Sequence, residues 1–83
     1  MSRVRIPPTL RAETGGRVEV EAEGSSVRDL LDDLTARFPA LRGQIEHANV
    51  YVDRQDIRTL DGLDTALAEN SEVILLPAMA GGV

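Results

Sequence analysis

From Ser2 to Ile6 the chain alternates strictly, with Val4 and Ile6 on one side and Arg3 and Arg5 on the other. The stretch Arg17 to Glu23 repeats the pattern: Val18, Val20 and Ala22 share one face and Glu19, Glu21 and Glu23 the opposite one. A period of two predicts half-buried strands. Antiparallel pairing of the two would set the arginines across from the glutamates, so a β-hairpin is the simplest reading. Pro7 and Pro8 lack donors for a ladder and end the first strand. Gly15-Gly16 supplies the reversal, and Thr9 to Glu13 is expected to form a helical turn that tucks Leu10 inward. After Gly24-Ser25-Ser26 the period changes. Val27, Leu30, Leu31, Leu34 and Phe38 fall on one helical stripe, with Arg28, Asp32, Asp33 and Arg37 on the wet side. Ser26 is placed to cap this helix, with Asp29 in the first turn. Pro39 stops it at or before Phe38, which is read as a core plug.

Leu41 to Ala48 carries a weaker signal, with Leu41 and Ile45 facing inward from a loose helical turn. Asn49 to Asp53 predicts a third strand, Val50 and Val52 inward and Tyr51 outward. The polar turn Asp53-Arg54-Gln55-Asp56 leads to a short strand expected at Ile57-Arg58. Leu60 to Leu67 reads as a compact crossover with one helical turn, Asn70-Ser71 as another turn, and Glu72 to Pro77 as the last strand. That strand is the most apolar and is expected to run centrally. A hairpin, a helix and three further strands give an α+β domain with one helix covering one face of a mixed sheet, a β-grasp of the ubiquitin-like type. The domain is expected to span 1–77, with residues 78–83 forming a flexible C-terminal tail.

Composition narrows the chemistry. Eighty-three residues leave room for a single small core. The absence of cysteine removes disulfides, thiolate metal sites and cysteine nucleophiles, and one histidine, His47, cannot build a His-rich site. No metal site is expected. All nine basic residues are arginine, against 14 acids, for a net charge of −5. This balance argues against nucleic acid as a partner. No apolar run approaches the roughly 20 residues of a membrane span, and the first residues do not resemble a signal peptide, so a cytoplasmic protein without a membrane partner is expected. Asp32-Asp33 reads as a solvated helix face and Asp53 with Asp56 as turn chemistry. Tyr51 and His47 are read as ordinary surface positions. The Glu19, Glu21, Glu23 row reads as solubility and edge protection, with recognition of a basic partner surface as the alternative.

The chain's end is more specific. An apolar strand stops at Pro77 and becomes Ala78-Met79-Ala80-Gly81-Gly82-Val83. Such small residues pack nothing, but they let a backbone enter a narrow channel. Extended, Pro77 to Gly82 reaches about 20 Å. On the strand itself, Val73 and Leu75 facing the helix would leave Ile74 and Leu76 on the open face, where a monomer usually shows polar residues. Exposed aliphatics at the root of a tail read as a docking patch, the alternative being cover by a loop or an oligomer contact.

The stretch Leu67-Ala68-Glu69-Asn70-Ser71-Glu72-Val73-Ile74-Leu75-Leu76-Pro77-Ala78-Met79-Ala80-Gly81-Gly82 resembles the closing strand, proline, linker and diglycine of the MoaD/ThiS family of ubiquitin-like sulfur carriers. Val50-Tyr51-Val52-Asp53 and the turn to Ile57-Arg58 are similar to the family's middle strand. Ile6-Pro7-Pro8-Thr9-Leu10-Arg11 and Thr14-Gly15-Gly16 are similar to the branch serving cysteine biosynthesis in actinobacteria. The resemblance implies a carrier rather than an enzyme. The Gly82 carboxylate would be adenylated by an E1-like enzyme using ATP, then converted to a thiocarboxylate that donates sulfur towards cysteine, a cofactor or a secondary metabolite. No cofactor bound by the chain itself is implied. Ala80 and Gly81 would form the inserted tail, and Ile74, Leu76, Pro77 and Met79 the partner-binding residues. The implied partners are the activating enzyme and a sulfur-accepting biosynthetic enzyme. Val83 departs from the pattern, because its peptide bond leaves Gly82 without a carboxylate. It is either a short pro-extension removed by a metal-dependent protease or a residue added to the natural chain, and the first is preferred here. Two other roles stay open: the small subunit of a molybdopterin synthase, and a ubiquitin-like interaction module without sulfur chemistry.

Overall fold

A computed structural model of the chain describes residues 1–77. Five strands form one mixed sheet: β1 (Ser2–Arg5), β2 (Glu19–Ala22), β3 (Ala48–Val52), β4 (Gln55–Asp56) and β5 (Glu72–Pro77). Their spatial order is β2-β1-β5-β3-β4, so the last strand runs through the centre. β1 and β5 are parallel, and the other neighbours are antiparallel. The main helix α1 (Val27–Arg37) covers one face, followed by the single turn α2 (Arg42–Ile45). This is the expected β-grasp. The register sets Arg3 opposite Glu21 and Arg5 opposite Glu19, as the charge pattern predicts.

α1 forms where its stripe and its cap agree. The Ser26 hydroxyl accepts from the Asp29 amide at 3.2 Å, satisfying one of the helix's orphan donors. Val27, Leu30, Leu31 and Leu34 are buried against Val4, Val20, Val50, Val52, Val73 and Leu75 from the sheet. Gly24 lets the chain pass close to the start of the helix. A Cβ there would lie 2.8 Å from the Asp29 carbonyl carbon and from the Leu30 Cα, inside van der Waals contact. Between β1 and β2 a 3₁₀ segment, Pro8–Thr14, buries Leu10 and ends at Gly15 in the left-handed region, φ 68°. Thr14 is buried as well, its hydroxyl on the Arg11 and Arg17 carbonyls.

Three expectations change. Val18 is 49% exposed, because β2 begins only at Glu19 and the inward–outward alternation holds only where strand geometry holds. The short strand lies at Gln55–Asp56, with a 3₁₀ turn at Ile57–Thr59 in the place expected for it. Asp53 and Arg54 both take positive φ, 47° and 72°, and make a two-residue hairpin loop between Val52 and Gln55. Such a loop matches the twist of its strands but costs non-glycine residues conformational energy. The Asp53 amide donates to the Glu72 carbonyl and its carboxylate accepts from the Glu72 amide, which holds that conformation in place. Finally, Phe38 is not a core plug. It lies half-buried at the end of α1, with the Arg37 guanidinium 5.9 Å from its ring centroid.

Candidate functional site

Parity along β5 divides its side chains between two environments. Val73 and Leu75 are fully buried under α1, whereas Ile74 is half-buried and Leu76 is 43% exposed on the open face. Leu76 stands beside Asn49 and Ile74 beside Tyr51 in the β3 register. Through the paired registers, Glu19, Arg5, Ile74, Tyr51 and Asp56 form one row across all five strands. The row has an apolar centre and charged ends.

At its outer end, Asp56 accepts from the Arg58 amide at 2.9 Å and from the Arg58 guanidinium at 2.7 Å. Those bonds, side-chain first, hold the Asp56 carboxyl below the ordinary aspartate range. The same contact raises Arg58. The arrangement braces the turn after β4 and fixes a charged border beside Tyr51.

The parallel pair β1–β5 creates a second feature. The Arg3 amide donates to the Ser71 carbonyl at 3.0 Å. Continued along the pair at the two-residue spacing of a parallel ladder, that pattern would require residue 7 to donate to Leu75. Residue 7 is proline and has no amide hydrogen. β1 therefore leaves the sheet while β5 runs on to Pro77. The divergence opens a notch of about 160 Å³ whose lining includes Arg5, Pro7, Pro8, Arg11, Ile74 and Leu76. Arg11 is fastened there by its Nε–H, which donates to the Ile6 carbonyl at 3.2 Å.

The structure thus brings Ile74 and Leu76 together on one face at the root of the tail. Pro77 closes β5 opposite Ala48. Met79, Ala80, Gly81, Gly82 and Val83 lie outside the described residues. Arg5 and Arg11 were not singled out as site residues in the sequence, since neither belongs to a motif and only the β1–β5 pairing joins them to Ile74. The Pro7-Pro8 pair was the available signal: it tells where a neighbouring strand loses its partner. Asp33, read as a solvated acid, also has a specific role. Its carboxylate accepts from the Glu23 amide at 2.9 Å and from Arg37 at 3.3 Å, while Arg37 donates to the Glu21 carbonyl. Together they occupy backbone groups of the edge strand β2, which otherwise invites another strand. Among the described residues no group of three or more His, Asp or Glu side chains is placed to hold a metal, and no helix is long and apolar enough to cross a membrane.

The sulfur carrier protein CysO of Mycobacterium tuberculosis is 37% identical over an alignment of 89 positions, gaps included, covering 95% of this chain and 96% of the relative. A molybdopterin synthase sulfur carrier subunit from the same organism is 33% identical over 67 residues, covering 80% and 76%. Among solved structures, a chain of the Amycolatopsis orientalis BexX/CysO complex superposes with a TM-score of 0.89 at 34% identity, over 99% of this chain and all of that one. The sequence profile of the ThiS family matches residues 4–82, from the first buried valine to the second glycine, so the chain belongs to the ThiS family.

Proposed function

We propose that the protein is a sulfur carrier that holds sulfur as a thiocarboxylate on Gly82. The observation that carries this reading is the match running through Gly82, together with a central strand that ends at Pro77, five residues before Gly82. With no cysteine in the chain, the terminal carbonyl is the group left to carry sulfur. A carboxylate is a poor electrophile until one oxygen becomes a leaving group. In the proposed sequence the Gly82 carboxylate attacks the α-phosphorus of ATP on a separate E1-like enzyme, expelling pyrophosphate. Sulfide then attacks the acyl carbon of the adenylate, AMP leaves, and a thiocarboxylate and a proton result. The anionic sulfur is delivered to an electrophile held by a biosynthetic enzyme. A destination in cysteine biosynthesis is favoured by the longer and closer match to CysO than to the molybdopterin synthase subunit. That a relative was solved in complex with a second protein, BexX, supports delivery to a partner.

Gly82 in peptide linkage to Val83 has no carboxylate to adenylate. The form ending at Gly82 is therefore the reactive one, and a metal-dependent protease is the proposed means of producing it. The test compares both forms in ATP–pyrophosphate exchange with an E1-like enzyme from the same organism, with intact mass after addition of sulfide. Exchange and oxygen-to-sulfur replacement in the Gly82 form alone are expected. Equal exchange in both forms would move the reactive carboxylate to Val83. Absence of exchange in both would leave an interaction module without sulfur chemistry.

A further inference from the structure

The apolar surface on β5 is bordered unevenly. The notch beside it holds two guanidinium groups in a protein whose net charge is −5. Arg5 has acidic neighbours: Glu72 approaches at 4.0 Å, the outer limit of an ion pair, and Glu19 stands opposite on β2. Arg11 is different. Its bond runs to the Ile6 backbone carbonyl, which fixes the group without neutralising its charge. The notch is walled by two prolines and four aliphatic residues, which lower the local dielectric and strengthen a charge interaction made there. Its volume of about 160 Å³ suits a side chain rather than a folded element.

We propose that this notch is a charge-selective docking point for the activating enzyme, receiving a carboxylate side chain of that enzyme next to an apolar residue that covers Ile74 and Leu76. The inference rests on the carrier reading, because it supposes a partner that works on the tail. Three features select this occupant. The cationic notch complements an acid, the aliphatic pair complements an apolar neighbour, and both lie where β5 delivers the chain to the tail. The interruption at Pro7 adds a backbone element, since the Leu75 carbonyl lacks the amide donor that a continued ladder would provide. An extended partner segment can donate there while its acid meets Arg11. Arg11 dominates and Arg5 assists. The pairing also steers encounter, because a local field complementary to the partner's favours productive contact.

The experiment measures the dissociation constant between the Gly82-terminated carrier and the activating enzyme at low and high salt, for wild type, Arg11→Glu, Arg11→Lys, Arg5→Glu and Arg28→Glu. Arg28 lies on α1, the opposite face of the sheet, and serves as the control. Arg11→Glu is expected to weaken binding about tenfold or more at low salt, with the loss shrinking as salt screens the contact. Arg5→Glu should lose less, and Arg28→Glu should stay within about twofold. Arg11→Lys keeps the charge but not the Nε bond, and retention of most binding is expected. If Lys loses as much as Glu, Arg11 acts through local structure and the inference fails. It also fails if Arg11→Glu, shown folded by circular dichroism, binds like wild type. Thiocarboxylate formation at saturating carrier separates the two readings. Wild type converted by an enzyme indifferent to Arg11 overturns the notch alone, and wild type never converted overturns both.

Discussion

The two faces of the sheet are built from the same strands and obey opposite rules. Under α1 the inward residues Val4, Val20, Val73, Leu75, Val50 and Val52 are all aliphatic, and all six are buried. On the open face β1 and β2 present Arg3, Arg5, Glu19 and Glu21, the expected dress of a solvated surface. β5 breaks that dress with Ile74 and Leu76. Folding alone gives no reason for two aliphatics there, because Leu76 remains 43% exposed in the folded chain. The contrast separates two uses of hydrophobicity. One set of side chains leaves water when the domain folds, and the neighbouring set leaves it when a partner arrives.

The two faces differ most in their response to the same charge placed on adjacent residues of β5. Leu75→Asp buries an unpaired carboxylate in the core, a cost of several kcal/mol against a total stability of about 5–10 kcal/mol for a small domain. Loss of the folded state by circular dichroism is expected. Leu76→Asp should change stability by no more than about 0.5 kcal/mol, as exposed substitutions do. It should nonetheless weaken binding to the activating enzyme about tenfold or more. Unfolding of Leu76→Asp would put that residue in the core and erase the distinction. A smaller effect tests the covered face from the helix side. Leu34→Ala removes a fully buried side chain and should cost about 2–5 kcal/mol in urea denaturation, without changing affinity beyond what reduced stability explains. A cost within the range of surface substitutions would mean that α1 presents a different face.

Much of the covered face was legible in the sequence because its signals are local and mutually consistent. Ser26 caps, Gly24-Ser25-Ser26 marks the break before the helix, the leucine stripe has helical spacing, and β5 is apolar enough to run in the middle. The misreadings arose where a local pattern outlasted its cause. Val18 continues the alternation of β2 in sequence but stands outside the strand. Asp53-Arg54 carries none of the glycine that usually announces a two-residue hairpin, so the turn was drawn too long and β4 placed two residues late. The apolar half of the candidate site, Ile74 and Leu76, follows from parity. Its cationic half does not, since Arg5 and Arg11 meet Ile74 only through parallel pairing of the first and last strands. Pairing between segments some seventy positions apart leaves no periodic trace in either.

The smallest expected effect concerns the border of the open face. Asp56 ends the row that begins at Glu19, and its carboxylate takes both the Arg58 amide and the Arg58 guanidinium. Because the folded state holds its carboxyl below the ordinary range, the folded chain binds that proton less readily than the unfolded one. The resulting stabilisation is fully present above the ordinary aspartate value of about 3.9 and disappears as pH falls through the lower folded value. Asp56→Asn keeps an oxygen for the Arg58 amide and removes the charge. Urea midpoints of wild type and Asp56→Asn should therefore differ at neutral pH and converge under strong acid, with added salt narrowing the neutral gap. A gap unchanged by acid would assign the effect to hydrogen-bond geometry rather than to charge. Convergence in acid would assign the border of the open face to charge, in contrast to its aliphatic centre at Ile74 and Leu76.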